Sequence, residues 1–183
     1  EYVGQTQGSK DVEVRARVTG IIEKRLFEEG AAVKAGQTLF IIDARQYQAQ
    51  VAAANADVSR AKAQKAQADR EAARLKPLAE RKAIGQKEAD DAASAADLAA
   101  AAVQASQAKV AELSVNLGYT KVLAPISGLT SRSQKSEGSL VTANETLLTT
   151  ISQTHPIWVV FNISENEQLR LNRAVAANQL MLP

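Results

Sequence analysis

The chain contains no cysteine, a single histidine and few aromatic residues, 4% of the total. Without thiols it has no disulfide, no thiolate metal site and no cysteine nucleophile. His155, just ahead of Pro156, has no second imidazole with which to share a metal and reads as a junction residue. The scarcity of aromatic side chains argues against one broad core and for small cores strung along an elongated molecule. No apolar run approaches the ~18 residues of a membrane span. The opening EYVGQTQGSK lacks the basic-then-apolar pattern of a signal peptide. A formal charge of +2 places no demand for nucleic acid or an anionic surface as partner.

Catalytic patterns are missing as well. Glycines nowhere take the spacing of a phosphate-binding loop. Ser127 in APISGL and Ser139 in SEGSL sit in glycine turns without a His and Asp to activate them. The many carboxylates fall on helix faces, and no pair is set in a concave site for acid-base work. The chain therefore reads as a non-enzyme with no cofactor and no metal.

Alanine is abundant, concentrated between Ala49 and Ala111. It favours helix while contributing little buried area. Charge is unevenly spread there. Arg60, Lys62, Lys65, Arg70, Arg74, Lys76, Arg81, Lys82 and Lys87 give way to Glu88, Asp90, Asp91 and Asp97. Such runs are usually solvated helix faces, and the sharper reading is a basic end that meets a partner.

Hydrophobic period divides the chain. From about Asp11 to Asp43 the runs VEVRARV, GIIEKRLF, AAVKAG and TLFII alternate as strands, punctuated by Gly20, Gly30 and Gly36. From Ala44 to about Arg81, Tyr47, Val51, Ala54, Val58, Ala61, Lys65, Ala68, Ala72 and Leu75 follow the four-and-three spacing of a heptad seam. From about Gln86 to Leu117 the same spacing runs through Ala89, Ala92, Ala96, Ala99, Val103, Ser106, Val110, Leu113 and Leu117. Two such helices, each ~50 Å long, predict an antiparallel coiled-coil hairpin. Pro77 is expected to kink or end the first helix. Gly85 falls at the N-cap of the second, with Glu88 at capping-box spacing. Alternation then returns through YTKVLAPISG and SEGSLVTANETLLTTI. PIWVVFNI reads as a strand with Trp158 in a core, and Ser164 with Glu167 opens a further helix. EYVGQT is a candidate strand to join these last elements.

The first β segment repeats. A shift of roughly 108 residues aligns Ala16 with Ala124, Gly20 with Gly128, Glu29 with Glu137, Gly30 with Gly138, Val33 with Val141 and Thr38 with Thr146. Glycines match in turn positions and apolar residues in strand positions. Either half is too small to bury a face alone, so the two are expected to close one sandwich with the hairpin inserted between them. Gly20, Gly30, Gly128 and Gly138 are assigned to shaping its turns.

In order, VEVRARVTGIIEKRLFEEGAAVKAGQTLFIID, a heptad hairpin, NLGYTKVLAPISG, SEGSLVTANETLLTTI and HPIWVVFNISENEQLRL resemble the periplasmic adaptor subunits, or membrane fusion proteins, of resistance-nodulation-division (RND) type tripartite multidrug efflux pumps. The resemblance covers essentially the whole chain. It implies an elongated multidomain α+β fold. Residues 1–10 would be a β-barrel strand or linker, 11–43 the first half of a lipoyl-like domain, 44–118 an α-helical hairpin, 119–152 the second half, and 153–183 part of a β-barrel domain.

The resemblance also implies a function: joining an inner-membrane, proton-driven transporter to an outer-membrane channel in a ring, a hexamer, that helps form the export conduit for drugs or other small molecules. The place would be the periplasm of a Gram-negative bacterium, held to the inner membrane by an N-terminal anchor. That anchor and a membrane-proximal domain are not visible in the sequence, and NQLMLP ends without a closing element, so a fragment is expected. The family's hairpin tip meets the channel through an Arg, a Leu four residues on and a Ser seven beyond. Arg74 and Leu78 keep that spacing, whereas the third position is Gly85, without the hydroxyl. A plainer assignment makes Arg74 a solvated helix residue and Leu78 a packing contact.

Two alternatives stand beside this. One is an adaptor of an ATP-driven exporter. The other, from a different class, is a lipoyl or biotinyl carrier domain of an enzyme complex, which would need a modifiable lysine at the turn between the halves. Here Asp43-Ala44-Arg45 offers none, and Lys24 and Lys34 lie elsewhere in the first half.

Overall fold

The computed structural model describes residues 4–161 together with Leu169, Asn172 and Val175. In chain order the elements are β1 (Gly4–Gly8), β2 (Asp11–Arg15), β3 (Gly20–Arg25), β4 (Ala32–Val33), β5 (Thr38–Ile42), α1 (Arg45–Glu80), α2 (Gln86–Gly118), β6 (Lys121–Leu123), β7 (Gly128–Thr130), β8 (Leu140–Val141), β9 (Leu147–Ser152) and β10 (Ile157–Phe161). The helix expected from Ser164 and Glu167 lies outside the described residues, apart from Leu169, Asn172 and Val175, which are helical.

The two β halves do not form one sheet each. One four-stranded sheet runs β2-β9-β7-β4 and the other β6-β5-β3-β8, so each of these two takes two strands from each half. The 108-residue repeat carries β2, β4, β3 and β5 onto β6, β8, β7 and β9, and thereby turns one sheet order into the other. A single pseudo-dyad relates the halves. The inward side chains are paired across it: Val14 with Val122, Ala16 with Ala124, and Val33 with Val141 are all buried. Ile22, 1% exposed, has Thr130 as its counterpart, and the Thr130 hydroxyl lies 3.1 Å from the carbonyl oxygens of Glu28 and Ala31. A buried hydroxyl needs such partners to offset its desolvation. Phe27 meets Phe40 edge to face, with centroids 5.2 Å apart.

Turn chemistry follows the same symmetry. Gly30 and Gly138 hold φ of 79° and 82°, the left-handed region that glycine enters freely. Gly36, at φ 82°, has Asn144 at φ 64° as its counterpart, asparagine being a side chain that tolerates this conformation. Gly20 and Gly128 act differently from turn glycines. They open β3 and β7, and a Cβ there would stand 2.6 Å from Ile42 Cγ2 and 2.3 Å from the Ser152 carbonyl oxygen, respectively. Close strand approach requires glycine at both positions.

The hairpin is an expanded β5–β6 connection. β5 and β6 are antiparallel neighbours, so the helices leave and re-enter beside each other. Asp43 and Ile42 continue the bonding at the root, donating their N–H groups to the carbonyls of Ile21 (2.9 Å) and Thr120 (2.8 Å). Tyr47 at the start of α1 donates its hydroxyl to the Thr19 carbonyl at 2.7 Å, and Arg17 lies 5.0 Å over the Tyr119 ring at the end of α2. Every seam residue read from the heptad spacing is buried or half-buried, with Ala54, Val58 and Ala61 facing the side that carries Ala92 and Val103. Lys65 keeps its place in the seam by turning its ammonium to Asp69 at 2.6 Å.

Pro77 lies inside α1 and does not end it; the helix runs on to Glu80. Proline removes the hydrogen bond to the Ala73 carbonyl, but both residues are exposed, so water can satisfy that oxygen. Strands β1 and β10 pair antiparallel from Gly4 opposite Phe161 to Gly8 opposite Ile157, which joins the front strand to the last one. Within this chain Trp158 lies in no core. It is 59% exposed, and Ile157, Val159 and Val160 on both faces of the ribbon are exposed with it.

Candidate functional site

The candidate site is the apex of the hairpin. α1 reaches it with Arg74 and Leu78, four residues apart and therefore on one face of the helix. Arg74 is exposed, and its guanidinium donates to the Glu71 carboxylate at 2.6 and 2.7 Å. Leu78 is half-buried, leaving part of its isobutyl group open. The connection is short: Arg81, Lys82, Ala83 and Ile84, with Ile84 half-buried and the other three exposed.

Backbone hydrogen bonds fix this turn. Lys82 donates its N–H to the Ala79 carbonyl and Ala83 donates to Leu78, both at 2.9 Å. This paired closure is a Schellman motif with Lys82 in its left-handed position, φ 56°. Gly85 then takes φ −69° and ψ 143° as the N-cap of α2, and its carbonyl accepts from the Glu88 N–H at 3.2 Å. No N-cap side chain completes the capping box; Glu88 instead places a carboxylate in the positive first turn of α2. The space around Gly85 is open, with no heavy atom within 4 Å of a built Cβ.

Just below the apex the small seam residues leave a groove of about 390 Å³, bordered by Ala72, Ala79 and Ala89 and edged by Lys76, Glu80 and Asp90. The site thus combines an apolar notch, a partly open leucine and a basic turn. Of the residues read from sequence, Arg74 and Leu78 share one helical face, while Gly85 stands across the turn as a cap. Lys82 has no individual role in the sequence pattern; only the backbone shows it standing where helix termination favours glycine.

At the hairpin root Asp43 accepts from the side chain and backbone N–H of Arg45. The Arg45 side-chain bond first, then its backbone N–H, pull the Asp43 carboxyl from the usual 3.8 to about 2. Among the described residues no group of three His, Cys, Asp or Glu side chains is placed to hold a metal.

An interleaved β-sandwich with a long helical hairpin set into one connection defines an α+β class in which a helical arm is inserted into a β base. Residues 10–153 match the family described as the RND MFP barrel-sandwich hybrid domain, and the chain belongs to that family of membrane fusion proteins. It is 43% identical over 169 residues to the efflux pump periplasmic linker BepD of Brucella suis, an alignment covering 91% of this chain and 43% of that protein. It is 41% identical over 182 residues to the membrane fusion protein MtrC of Neisseria gonorrhoeae, covering 99% of this chain and 44% of the relative. The crystal structure of MacA from Actinobacillus actinomycetemcomitans superposes with a TM-score of 0.66 at 25% identity, covering 92% of this chain and 57% of that one. The chain therefore spans less than half the length of these two curated relatives.

Proposed function

We propose that this chain is the reaching part of a periplasmic adaptor, which joins an inner-membrane RND-type transporter to an outer-membrane channel. The observation that carries the reading is the hairpin. Two helices of 36 and 33 residues project from one rigid sheet connection and end in a surface-exposed turn rather than in a cavity. The kinship with proteins named periplasmic linkers of efflux pumps supports the place and the partners.

The mechanism is geometric and non-catalytic. The sandwich is a fixed base, the seam keeps the arm straight, and Arg74 and Leu78, with Gly85 across the turn, form the channel contact. α1 is rich in Arg and Lys while α2 carries Glu88, Asp90, Asp91 and Asp97, so the α1 flank of one copy complements the α2 flank of the next. This favours head-to-tail closure into a ring, of which a hexamer is the form proposed. Weak tip contacts then add through multivalency. The β1–β10 ribbon is proposed as part of a β-barrel domain, and anchoring to the inner membrane as a property of the intact protein.

The test is drug susceptibility of cells that depend on the intact protein. Arg74→Asp and Leu78→Ser are each expected to abolish efflux while leaving expression and helicity unchanged. Unaltered susceptibility in both variants would sink the tip assignment.

A further inference from the structure

Two residues other than glycine hold positive φ among the described residues, Asn144 and Lys82. Asn144 is explained locally, because its side chain suits the left-handed region and it fills the position equivalent to Gly36. Lys82 has no such excuse. It is the residue after the α1 C-cap in a Schellman closure, where glycine is favoured because a Cβ crowds the neighbouring backbone. Backbone strain of this kind persists where the surroundings impose it and gathers at functional sites.

The charges of the apex point the same way. Arg74 is already neutralised by Glu71 at 2.6 Å. Lys82 and its neighbour Arg81 are exposed, and neither forms an ion pair among the described residues. The outermost turn of the arm therefore presents two uncompensated cations, one of them at a position where glycine would give a more stable helix end.

Resting on the tip reading above, we propose that Lys82 is a further partner-contacting residue, whose ammonium, set at the apex by the left-handed turn, pairs with carboxylates on the rim of the channel. Its contribution is steering and register, as for other exposed interfacial charges. Stability and recognition are opposed at this one position, and that opposition makes the inference testable.

The experiment titrates the intact protein against the purified outer-membrane channel of the same organism at ~0.1 M and ~1 M salt, where screening lengths differ about threefold. Lys82→Gly is expected to raise the thermal midpoint by about 2–4 °C. The same variant is expected to weaken channel binding about fivefold at low salt, the size of an exposed ion pair, with the difference vanishing at high salt. Lys82→Asn, compatible with the turn but uncharged, should weaken binding equally, and Lys82→Arg should retain it. A purely structural role predicts that Lys82→Gly binds as well as the parent. If Lys82→Gly and Lys82→Asn bind normally while Arg74→Asp or Leu78→Ser does not, this inference falls and the tip reading stands. If all four variants bind normally, both fall.

Discussion

Glu29 and Glu137 perform the same task in opposite directions across the pseudo-dyad. Glu137 Oε1 accepts from the Arg25 backbone N–H at 2.8 Å, and Glu29 Oε1 accepts from the Ser133 N–H at 3.1 Å. Residue 133 is the repeat equivalent of residue 25, so each half satisfies a backbone donor of the other. A second reciprocal pair repeats the device: Ser127 Oγ accepts from the Ala35 N–H at 2.9 Å, and Thr19 Oγ1 from the Ala143 N–H at 3.1 Å. Side chains in one half thereby recognise backbone in the other, which specifies that the halves interleave.

Removing either acceptor leaves a backbone donor, at the end of β3 or in the loop after β7, to water alone. Glu137→Ala and Glu29→Ala are each expected to cost about 1 kcal/mol, read as a lower urea midpoint at unchanged slope. The Arg25 side chain also pairs with Glu29, so both carboxylates touch one residue. A double-mutant cycle should therefore be non-additive by about 0.5 kcal/mol or more.

The glycines separate by mechanism. Gly30→Ala meets no atom within 4 Å and suffers only its left-handed backbone, an expected loss of about 1 kcal/mol. Gly128→Ala drives a methyl group to 2.3 Å from the Ser152 carbonyl oxygen, part of the rigid β9 backbone. Its expected loss is about 3 kcal/mol, at the upper end for overpacking, and thermal denaturation of the two variants should rank them in that order.

The helix seam predicts a contrast between neighbours. Ala61 is buried between α1 and α2, whereas Ala63 is exposed. Ala61→Leu is expected to force the helices apart at a cost of about 1–3 kcal/mol. Ala63→Leu, on the outer face, should stay within about 0.5 kcal/mol of the parent. Helical circular dichroism followed against temperature checks both.

Acid should loosen the root of the arm. The Asp43 carboxyl is held down at about 2 in the folded chain against its ordinary 3.8. A depressed carboxyl stabilises the fold fully above its unfolded value, and the contribution fades as pH drops through the folded one. The loss belongs between about pH 4 and pH 2, and Asp43→Asn should flatten that part of the stability profile. An unchanged profile in the variant would mean that the Asp43–Arg45 pair holds nothing.

The seam was readable in the sequence because a heptad spacing leaves little choice of face: from Tyr47 to Leu75 and from Ala89 to Leu117, every residue so placed is shielded. The repeat was readable because glycine and valine recur at fixed distance. Its consequence was harder to read. Alternation says which side chains point inward but not which strand lies beside which, so the exchange of β9 and β7 into a sheet with β2 and β4 needed the structure. Trp158 failed for a related reason: period gives a face and says nothing of what covers it. Pro77 does not end α1 because its lost hydrogen bond lies on the wet side of the helix, where proline costs least. Lys82 carried no pattern at all, since backbone conformation at a single residue leaves no trace in hydrophobic period.

The setting of the arm in the β5–β6 connection has a consequence for how such molecules change over time. Both roots of the hairpin are pinned to neighbouring strands, and among the described residues the two long helices pack chiefly on each other. Inserting seven residues at matching depths in α1 and α2 would lengthen the arm by about 10 Å and return the seam to the same phase. Reach is thus a quantity that can drift in whole-heptad steps under selection for the distance to be bridged, while the base and the apex keep their own sequences.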